Sequence, residues 1–452
     1  MPEFDLKIPV NLRMKPTFLI FALLFFCCTD VRPQELKFER SRHILILNSI
    51  KDDIKKNYYD PQFRGIDIEK RFQDAEDKIK QDASVGQMSG TIAQVLVDFD
   101  DSHLFFVPPG KVNKTKYGFE MQMIGTHCFA MRVHEKSDAY QKGLRIGDEI
   151  LAVQNLVPQR QNLWLMNYLF RALRPLPTLR LDLRKPDGKQ SAMMIEAKVT
   201  PGRKVVNLAD SSVDINNFIR ESETAYSEAK KQFIYKLNDE LVIWQMPAFN
   251  LSPSEIDRVM DEIKGKKSLI LDLRNNGGGR VDTLQRLLGY FFDKDVKIGD
   301  EKRRKETNPM VAKTRGKDHF AGKLAVLVDS ESGSAAEIFA KVIQFEKRGR
   351  IFGDRSAGAV MESRYFPHQN GMDVVVFYGV SVTIADLIMS DGKSLEKVGV
   401  TPDETVLPTA ADLVSNRDPA LSRAAANLGF AITPEQAGTI FLKEKEKYKD
   451  EY

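Results

Sequence analysis

Two short segments of the sequence combine glycines with residue types that could act on a carbonyl group. The first, Leu269 to Gly279, reads L-I-L-D-L-R-N-N-G-G-G. Glycines after an apolar strand let the backbone approach a ligand closely and direct N–H groups at it. The second, Val328 to Glu337, reads V-D-S-E-S-G-S-A-A-E. Here Ser334 would begin a helix, whose dipole favours the anion that forms in acyl transfer.

Ser334 has two interpretations on this segment alone. The spacing from Ser334 to Glu337 is that of a capping box, which is routine at the start of a helix. The same serine could be a nucleophile if a base were close to it. His103, which follows two aspartates, is by itself more typical of a surface or hydrogen-bonded histidine. Glu396 alone is more typical of a solvated charge.

Composition excludes several other kinds of site. The 67 Lys and Arg residues nearly balance 63 Asp and Glu, and the net charge of +4 does not indicate a nucleic-acid partner. Of three cysteines, Cys27 and Cys28 lie in an N-terminal apolar run, which leaves Cys128 without a partner for a disulfide or a Cys-based metal site. The six histidines form no H-x-x-x-H or H-E-x-x-H pair, so a zinc hydrolase is disfavoured. No metal or organic cofactor is implied.

The hydrophobic pattern predicts a multidomain α/β protein. We expect a helical N-terminal domain or arm over 35–110, a β-rich domain over 112–200 and a polar linker over 201–231. Strands and helices alternate over 232–430, which indicates a largely parallel sheet, and a charged tail occupies 431–452. The predicted strands of that third domain are Leu241–Met246, Ser268–Leu273, Leu324–Val328 and Arg350–Gly353. Its predicted helices are Pro253–Lys264, Val281–Phe292 and Ala335–Lys347. The polar stretch Asp300 to Lys317 is expected to be a solvated loop, with a lid or a substrate contact as the alternative.

The N-terminal 30 residues have the pattern of an export signal. Basic residues precede about a dozen apolar ones from Thr17 to Cys28, whereas a membrane span needs about 20. We therefore expect an exported, periplasmic or cell-envelope protein. Lipidation of Cys27 or Cys28, which would anchor the protein to a membrane, stays open, as does a buried hydrophobic helix.

The predicted β-rich domain resembles a PDZ domain of the bacterial, permuted kind. One part of the resemblance is the stretch Ser137 to Leu151, S-D-A-Y-Q-K-G-L-R-I-G-D-E-I-L. The other is the carboxylate-binding loop, matched by Tyr117, Gly118, Phe119 and Glu120. In such a domain a peptide adds as a strand, and backbone N–H groups bind its terminal carboxylate. The alternative is a small sheet domain whose glycines only make turns.

Taken together, these segments resemble the C-terminal processing peptidase (tail-specific protease) superfamily of serine peptidases, whose catalytic domain has a ClpP/crotonase-like core. The resemblance covers most of the chain after about Ser41. One branch of the family uses a lysine as general base. Here Ala359 stands in the place of that lysine, so a Ser/Lys dyad is not supported. The branch that resembles the tricorn core protease uses a histidine before the PDZ domain and a late glutamate.

His103 and Glu396 match the second branch. By this resemblance Ser334 attacks the scissile carbonyl, and His103 acts as general base and then as general acid. Ser102 and Glu396 would orient and polarise the imidazole. The backbone N–H groups of Gly278 and Ala335 would form the oxyanion hole.

The function implied is an exported serine endopeptidase whose PDZ-like domain recruits proteins or peptides, with recognition of the substrate's C-terminus as one option. A catalytically silent family member that binds peptides or ligands as a scaffold is the first alternative. Acyl-CoA chemistry on the same core is the second, and the export signal argues against it. The oligomeric state stays open.

Overall fold

The computed structural model describes residues 33–109, 113–201, 232–371 and 375–441. The predicted export signal, with Cys27 and Cys28, lies outside these residues, and so does nearly all of the predicted linker over 201–231. Within the described ranges, no helix is both long and apolar enough to cross a bilayer. The fold is a mixed α/β arrangement with several sheets.

Three helices and a short strand form the first part of the chain. They are α1 (Pro33–Asn57), α2 (Ile68–Gln81), α3 (Val85–Val97) and β1 (Phe105–Val107). Asp67 and Ser84 cap α2 and α3 by accepting hydrogen bonds from backbone N–H groups three residues on. The apolar residues of α2 at helical spacing, such as Phe72 and Ile79, are buried against the other two helices.

A five-stranded antiparallel sheet follows, in the order β3-β4-β5-β6-β7. The strands of this part are β2 (Asn113–Lys116), β3 (Phe119–Ile124), β4 (His127–Val133), β5 (Glu149–Val153), β6 (Thr178–Arg184), β7 (Gln190–Glu196) and β8 (Lys198–Pro201). Two short helices, α4 (Asp138–Gln141) and α5 (Leu163–Tyr168), lie between strands, and α5 continues as a π-helical turn to Leu173. Strands β2 and β8 pair only with each other. The sheet and α5 enclose their own core of buried apolar residues.

The third part contains two sheets. Its strands are β9 (Phe233–Lys236), β10 (Leu241–Gln245), β11 (Ser268–Asp272), β12 (Val296–Arg303), β13 (Thr307–Ala312), β14 (Lys323–Val328), β15 (Arg350–Gly353), β16 (Met361–Asn370), β17 (Val376–Met389) and β18 (Glu404–Thr405). Its helices are α6 (Pro253–Ile263), α7 (Val281–Leu288), α8 (Ala335–Phe345), α9 (Ala410–Val414), α10 (Pro419–Leu428) and α11 (Pro434–Thr439). The strands and helices predicted from the periodicity of this region are confirmed as elements, with ends that differ by a few residues.

The central sheet has the order β18-β15-β14-β11-β10-β9, and only β9 is antiparallel to its neighbour. Strands β10, β11 and β14 are buried almost throughout, because helices cover both faces of a parallel sheet. Neighbouring parallel strands end at the same edge of the sheet. The glycine-rich loop after β11 and the serine-containing loop after β14 therefore lie side by side.

The prediction of a solvated loop from Asp300 to Lys317 is wrong, because β12 and β13 form a hairpin there. Strand β12 also pairs with β17, and β17 pairs with β16 and β1. Val296, Ile298, Met310 and Ala312 point to the core, while the charged residues between them form ion pairs such as Arg303–Glu362. Because most residues of this stretch are polar or charged, the alternation of core-facing and solvent-facing positions was not recognisable in the sequence.

The predicted charged tail over 431–452 begins too early. Residues up to 441 are described, and within them α11 and Phe441 pack on the core formed by β10, β14 and α10. Apolar residues in this segment, Ile432, Ala437 and Phe441, explain the packing.

Candidate active site

Ser334 occupies a strained position between β14 and α8. Its backbone has φ +52° and ψ −118°, a conformation that residues other than glycine rarely adopt. Its N–H lies 2.8 Å from the Ala359 carbonyl oxygen and 3.1 Å from Glu337 Oε2. A serine on a sharp, strained turn from strand to helix is the arrangement of an exposed nucleophile.

Glu337 connects Ser334 to a second loop. The carboxylate is buried and accepts hydrogen bonds from Ser356 Oγ at 2.5 Å, Gly358 N at 2.7 Å and Ala359 N at 2.9 Å. Burial raises the pKa of Glu337 to about 7, and these donors oppose that rise. Ser334 and Glu337 are thus a capping pair, as their spacing indicated, and the cap also holds the loop 356–359 against the serine.

Ser102, His103 and Glu396 form a continuous hydrogen-bonded relay. Ser102 Oγ donates to Glu396 Oε2 at 2.8 Å and lies 2.7 Å from His103 Nδ1. Since the hydroxyl has one proton and gives it to Glu396, it accepts the Nδ1–H of His103. This assignment leaves Nε2 of the ring unprotonated and able to take a proton, which is the tautomer that a general base needs.

Burial controls the ionisation of this relay. It lowers the pKa of His103 below its ordinary value of 6.5, and the nearby charge of Asp101 opposes that shift. Burial also raises the pKa of Glu396, while hydrogen bonds from Ser102 N at 3.0 Å and Val360 N at 2.9 Å oppose the rise. A neutral imidazole next to a hydrogen-bonded carboxyl group can accept a proton near neutral pH.

The relay and Ser334 are held by two consecutive residues. The Ala359 carbonyl accepts the Ser334 N–H, and the N–H of Val360 donates to Glu396. Within the described ranges, no hydrogen bond joins Ser334 to the His103 ring. The structure therefore brings Ser102, His103 and Glu396 into direct contact and links Ser334 to them through the peptide 359–360.

Gly278 and Ala335 lie together beside Ser334. A Cβ on Gly278 would be 2.5 Å from Ser334 Cβ and 2.9 Å from Ala335 N, so glycine is required at this position. The Ala335 N–H begins α8 and has no acceptor among the residues that the structure describes. The Gly278 N–H donates to Asn276 Oδ1 at 2.9 Å, so it is already engaged in this conformation.

The loop predicted to bind peptides lines a groove of about 240 Å³. Gly118 has φ +75°, and Phe119 begins β3. Tyr117 is buried, and its hydroxyl accepts the Leu176 N–H at 2.8 Å, so its side chain stabilises the fold. Glu120 is exposed at the rim. The other lining residues include Arg132, His134 and Arg171.

Two carboxylates near the site make contacts that the sequence did not reveal. Asp101 is a buried carboxylate beside His103, and Glu337 does more than cap α8. The signal for Asp101 was its place two residues before His103, where an aspartate can accept the backbone N–H of residue i+2. Among the described residues, no group of three or more His, Cys, Asp or Glu side chains could hold a metal ion.

The chain is similar to known proteins in parts of its sequence and in its fold. Residues 241–406, which include Ser334 and Glu396, match the sequence model described as Peptidase family S41. Over this segment, called here the S41 domain, the chain is similar to peptidase family S41, and the segment makes up less than half of the chain. The resemblance to C-terminal processing peptidases is thereby confirmed for this segment.

Curated relatives of the S41 domain cover part of the chain. The C-terminal processing peptidase, chloroplastic, of Tetradesmus obliquus is 31% identical over 152 residues, which are 32% of this chain and 31% of the relative. The carboxy-terminal processing protease CtpA of Bacillus subtilis (strain 168) is 27% identical over 195 residues, 42% of this chain and 39% of the relative. The chain spans less than two fifths of the length of either relative.

A solved structure covers more of the fold. Mature CPAF aligns with a TM-score of 0.62 and 15% identity over 83% of this chain and 94% of that chain. At this identity the likeness establishes a shared fold that extends beyond the S41 domain.

Proposed function

We propose that the protein is a serine endopeptidase that hydrolyses peptide bonds of protein substrates through Ser334, with His103 as the general base. The observation that carries the proposal is the relay from Glu396 through Ser102 to His103, because it fixes the ring in the tautomer whose Nε2 accepts a proton. The strained backbone of Ser334 supports its role as nucleophile.

In this mechanism Ser334 Oγ bonds to the substrate carbonyl carbon while its proton passes to His103 Nε2. The electron pair of the carbonyl moves to its oxygen, which the N–H groups of Ala335 and Gly278 would stabilise. For Gly278 to take part, its N–H must turn from Asn276 or be shared with it. The protonated His103 then gives its proton to the leaving amine, and water releases the acyl group by the same steps.

The proposal also includes how substrates are recruited and where in the cell the protein acts. The groove around Gly118 and Phe119, on an antiparallel sheet, supports a PDZ-like domain that binds an extended peptide or a substrate's C-terminus. The basic and apolar N-terminal sequence supports export, with lipidation at Cys27 or Cys28 as an option. Ala359 at the position of the lysine, together with the relay of His103, Ser102 and Glu396, supports the tricorn-like branch.

Covalent labelling tests the proposal without a known substrate. A serine-reactive fluorophosphonate is incubated with the protein, and the modified peptide is mapped by mass spectrometry. We expect an adduct on Ser334 that disappears in His103→Ala and persists in His127→Ala, whose ring is exposed on β4. An adduct on another serine would contradict the nucleophile, and full labelling of His103→Ala would contradict the base.

A catalytically silent scaffold is the second candidate, favoured by the lack of a hydrogen bond between Ser334 and His103 within the described ranges. The hydrogen bond between a nucleophile and its general base is often long or poorly aligned before substrate binds. The labelling is therefore repeated with a peptide bound in the groove. Failure to label in both conditions would favour the scaffold.

A further inference from the structure

Asp101 is a buried carboxylate beside the predicted general base. It is 2% exposed, and both of its oxygens are engaged. Oδ1 accepts the backbone N–H of His103 at 2.9 Å and the Thr383 hydroxyl at 2.7 Å. Oδ2 accepts the Tyr58 hydroxyl at 2.8 Å. A charge so enclosed is kept only where its hydrogen bonds are satisfied.

The partners of Asp101 come from separate parts of the fold. Tyr58 follows α1, and Thr383 lies in the middle of β17. These two parts are joined directly, since Tyr59 N donates to the Thr383 carbonyl at 3.0 Å. Arg64 holds the chain just before Asp101 by donating to the Asp100 carbonyl at 2.5 Å. The backbone of His103 is therefore fixed through one carboxylate to the N-terminal helices and to β17.

The charge of Asp101 also acts on the His103 ring. Asp101 opposes the effect of burial on the pKa of that ring. Other charged groups near this pair include Arg64, 3.8 Å from Asp101, Asp386 on β17, and Glu396, which reaches the ring through Ser102. The exposed pair of Asp100 and Lys397 also lies next to Asp101 in the chain. When His103 takes a proton from the nucleophile, a fixed negative charge beside it stabilises the imidazolium.

We propose that Asp101 is a positioning residue for the general base: it fixes the backbone of His103, and its charge stabilises the protonated ring. Asp101 acts through His103 and does not touch the substrate. The inference rests on the proposed function of His103 and adds to it the source of the ring's position and electrostatic support.

An NMR titration of the His103 ring tests the electrostatic part and needs no enzymatic activity. The resonance is assigned by its loss in His103→Gln. In Asp101→Asn we expect the pKa of His103 to fall by about one pH unit, because a nearby buried negative charge is removed. Asp100→Asn is the matched control. Its carboxylate is exposed and paired with Lys397 at 2.7 Å, so we expect a much smaller shift. Equal shifts in the two variants would overturn the proposal.

The pH profile of fluorophosphonate labelling distinguishes positioning from a purely structural role. In Asp101→Asn the acid limb of the rate should move to lower pH together with the pKa of His103. A variant that is slower at every pH with an unmoved limb would mean that Asp101 only maintains the fold. If the wild type does not label at all, the proposed function fails, while the titration still decides the role of Asp101.

A second pair of variants covers the case in which Asp101→Asn does not fold. Thr383→Val removes one hydrogen bond to Asp101 with little change in shape, whereas Thr383→Ser keeps the hydroxyl. We expect labelling to fall about tenfold in Thr383→Val and to stay near the wild-type rate in Thr383→Ser. Equal rates in the two variants would contradict the positioning role.

Discussion

Glu337 determines the local conformation of Ser334. Its carboxylate accepts four hydrogen bonds, from Ser334, Ser356, Gly358 and Ala359. In Glu337→Gln an amide NH₂ would face N–H donors, so at least one buried donor loses its acceptor. We expect labelling of Ser334 to fall by at least about tenfold. Glu346→Gln, at the exposed end of the same helix, is the control and should label normally. Wild-type labelling of Glu337→Gln would show that the strained turn holds without this carboxylate.

Burial of His103 also predicts the pH dependence of the site. Because burial lowers the pKa of the ring below 6.5, the neutral, basic form persists to lower pH than in an exposed histidine. The acid limb of the labelling rate should therefore have its midpoint below pH 6.5. Below that pH the unfolded chain binds a proton more readily, so the contribution of His103 to folding stability is present above 6.5 and is lost as the pH falls. A midpoint above 6.5 would mean that the ring is solvated or that another group limits the rate.

At the scale of the element, the periodicity of the sequence was sufficient to predict the strands that are buried on both faces. Strands β10, β11 and β14 read as apolar runs, and the helices between them have amphipathic faces and recognisable caps. The hairpin β12–β13 could not be predicted in the same way. Strand β12 of this hairpin pairs with a long strand, β17, whose residues come more than 60 positions later in the chain. The sequence around a strand does not indicate which distant strand it will pair with.

Strand β15 depends on a glycine for its contact with β14. Gly353 has φ +118°, and a Cβ there would be 2.1 Å from the Val328 carbonyl oxygen. We expect Gly353→Ala to lower the free energy of unfolding by more than about 2 kcal/mol, because the new methyl group meets backbone atoms and the conformation is strained. Gly265→Ala is the control, since a Cβ at that position meets no atom within 4 Å. Urea denaturation measures both, and similar stabilities would contradict the close packing of β14 and β15.

At the scale of the whole molecule, the candidate site is assembled from distant parts of the chain. Ser102 and Glu396 are 294 residues apart and hydrogen-bonded. The sequence predicted Ser334, His103, Ser102 and Glu396 from a family resemblance, because each lies in a recognisable motif. It could not predict that Ala359 and Val360 join Ser334 to the relay of Glu396, Ser102 and His103. These two residues contribute through backbone groups, which any residue other than proline supplies. The partners of Asp101 depend likewise on how α1 packs on β17.

Arg160 connects the antiparallel sheet β3–β7 to the loop that supports the candidate site. Its guanidinium donates to the Gly125 carbonyl at 3.0 Å, to Asp354 Oδ2 at 2.8 Å and to the Arg355 carbonyl at 2.6 Å. Asp354 also accepts the Gly125 N–H at 2.8 Å and comes just before the loop 356–359. Removal of one member of a largely buried ion pair leaves the other charge without compensation and costs about 3–5 kcal/mol.

We therefore expect Arg160→Ala to increase hydrogen exchange at residues 119–125 and 354–360 and to slow the labelling of Ser334, because the loop 356–359 would lose its support. The change should appear in both segments together, since the same guanidinium holds them. Arg180→Ala, which removes an exposed arginine paired with Asp182 on β6, is the matched control and should alter neither exchange nor labelling. Faster exchange confined to 119–125, with normal labelling, would mean that the site is rigid without the antiparallel sheet.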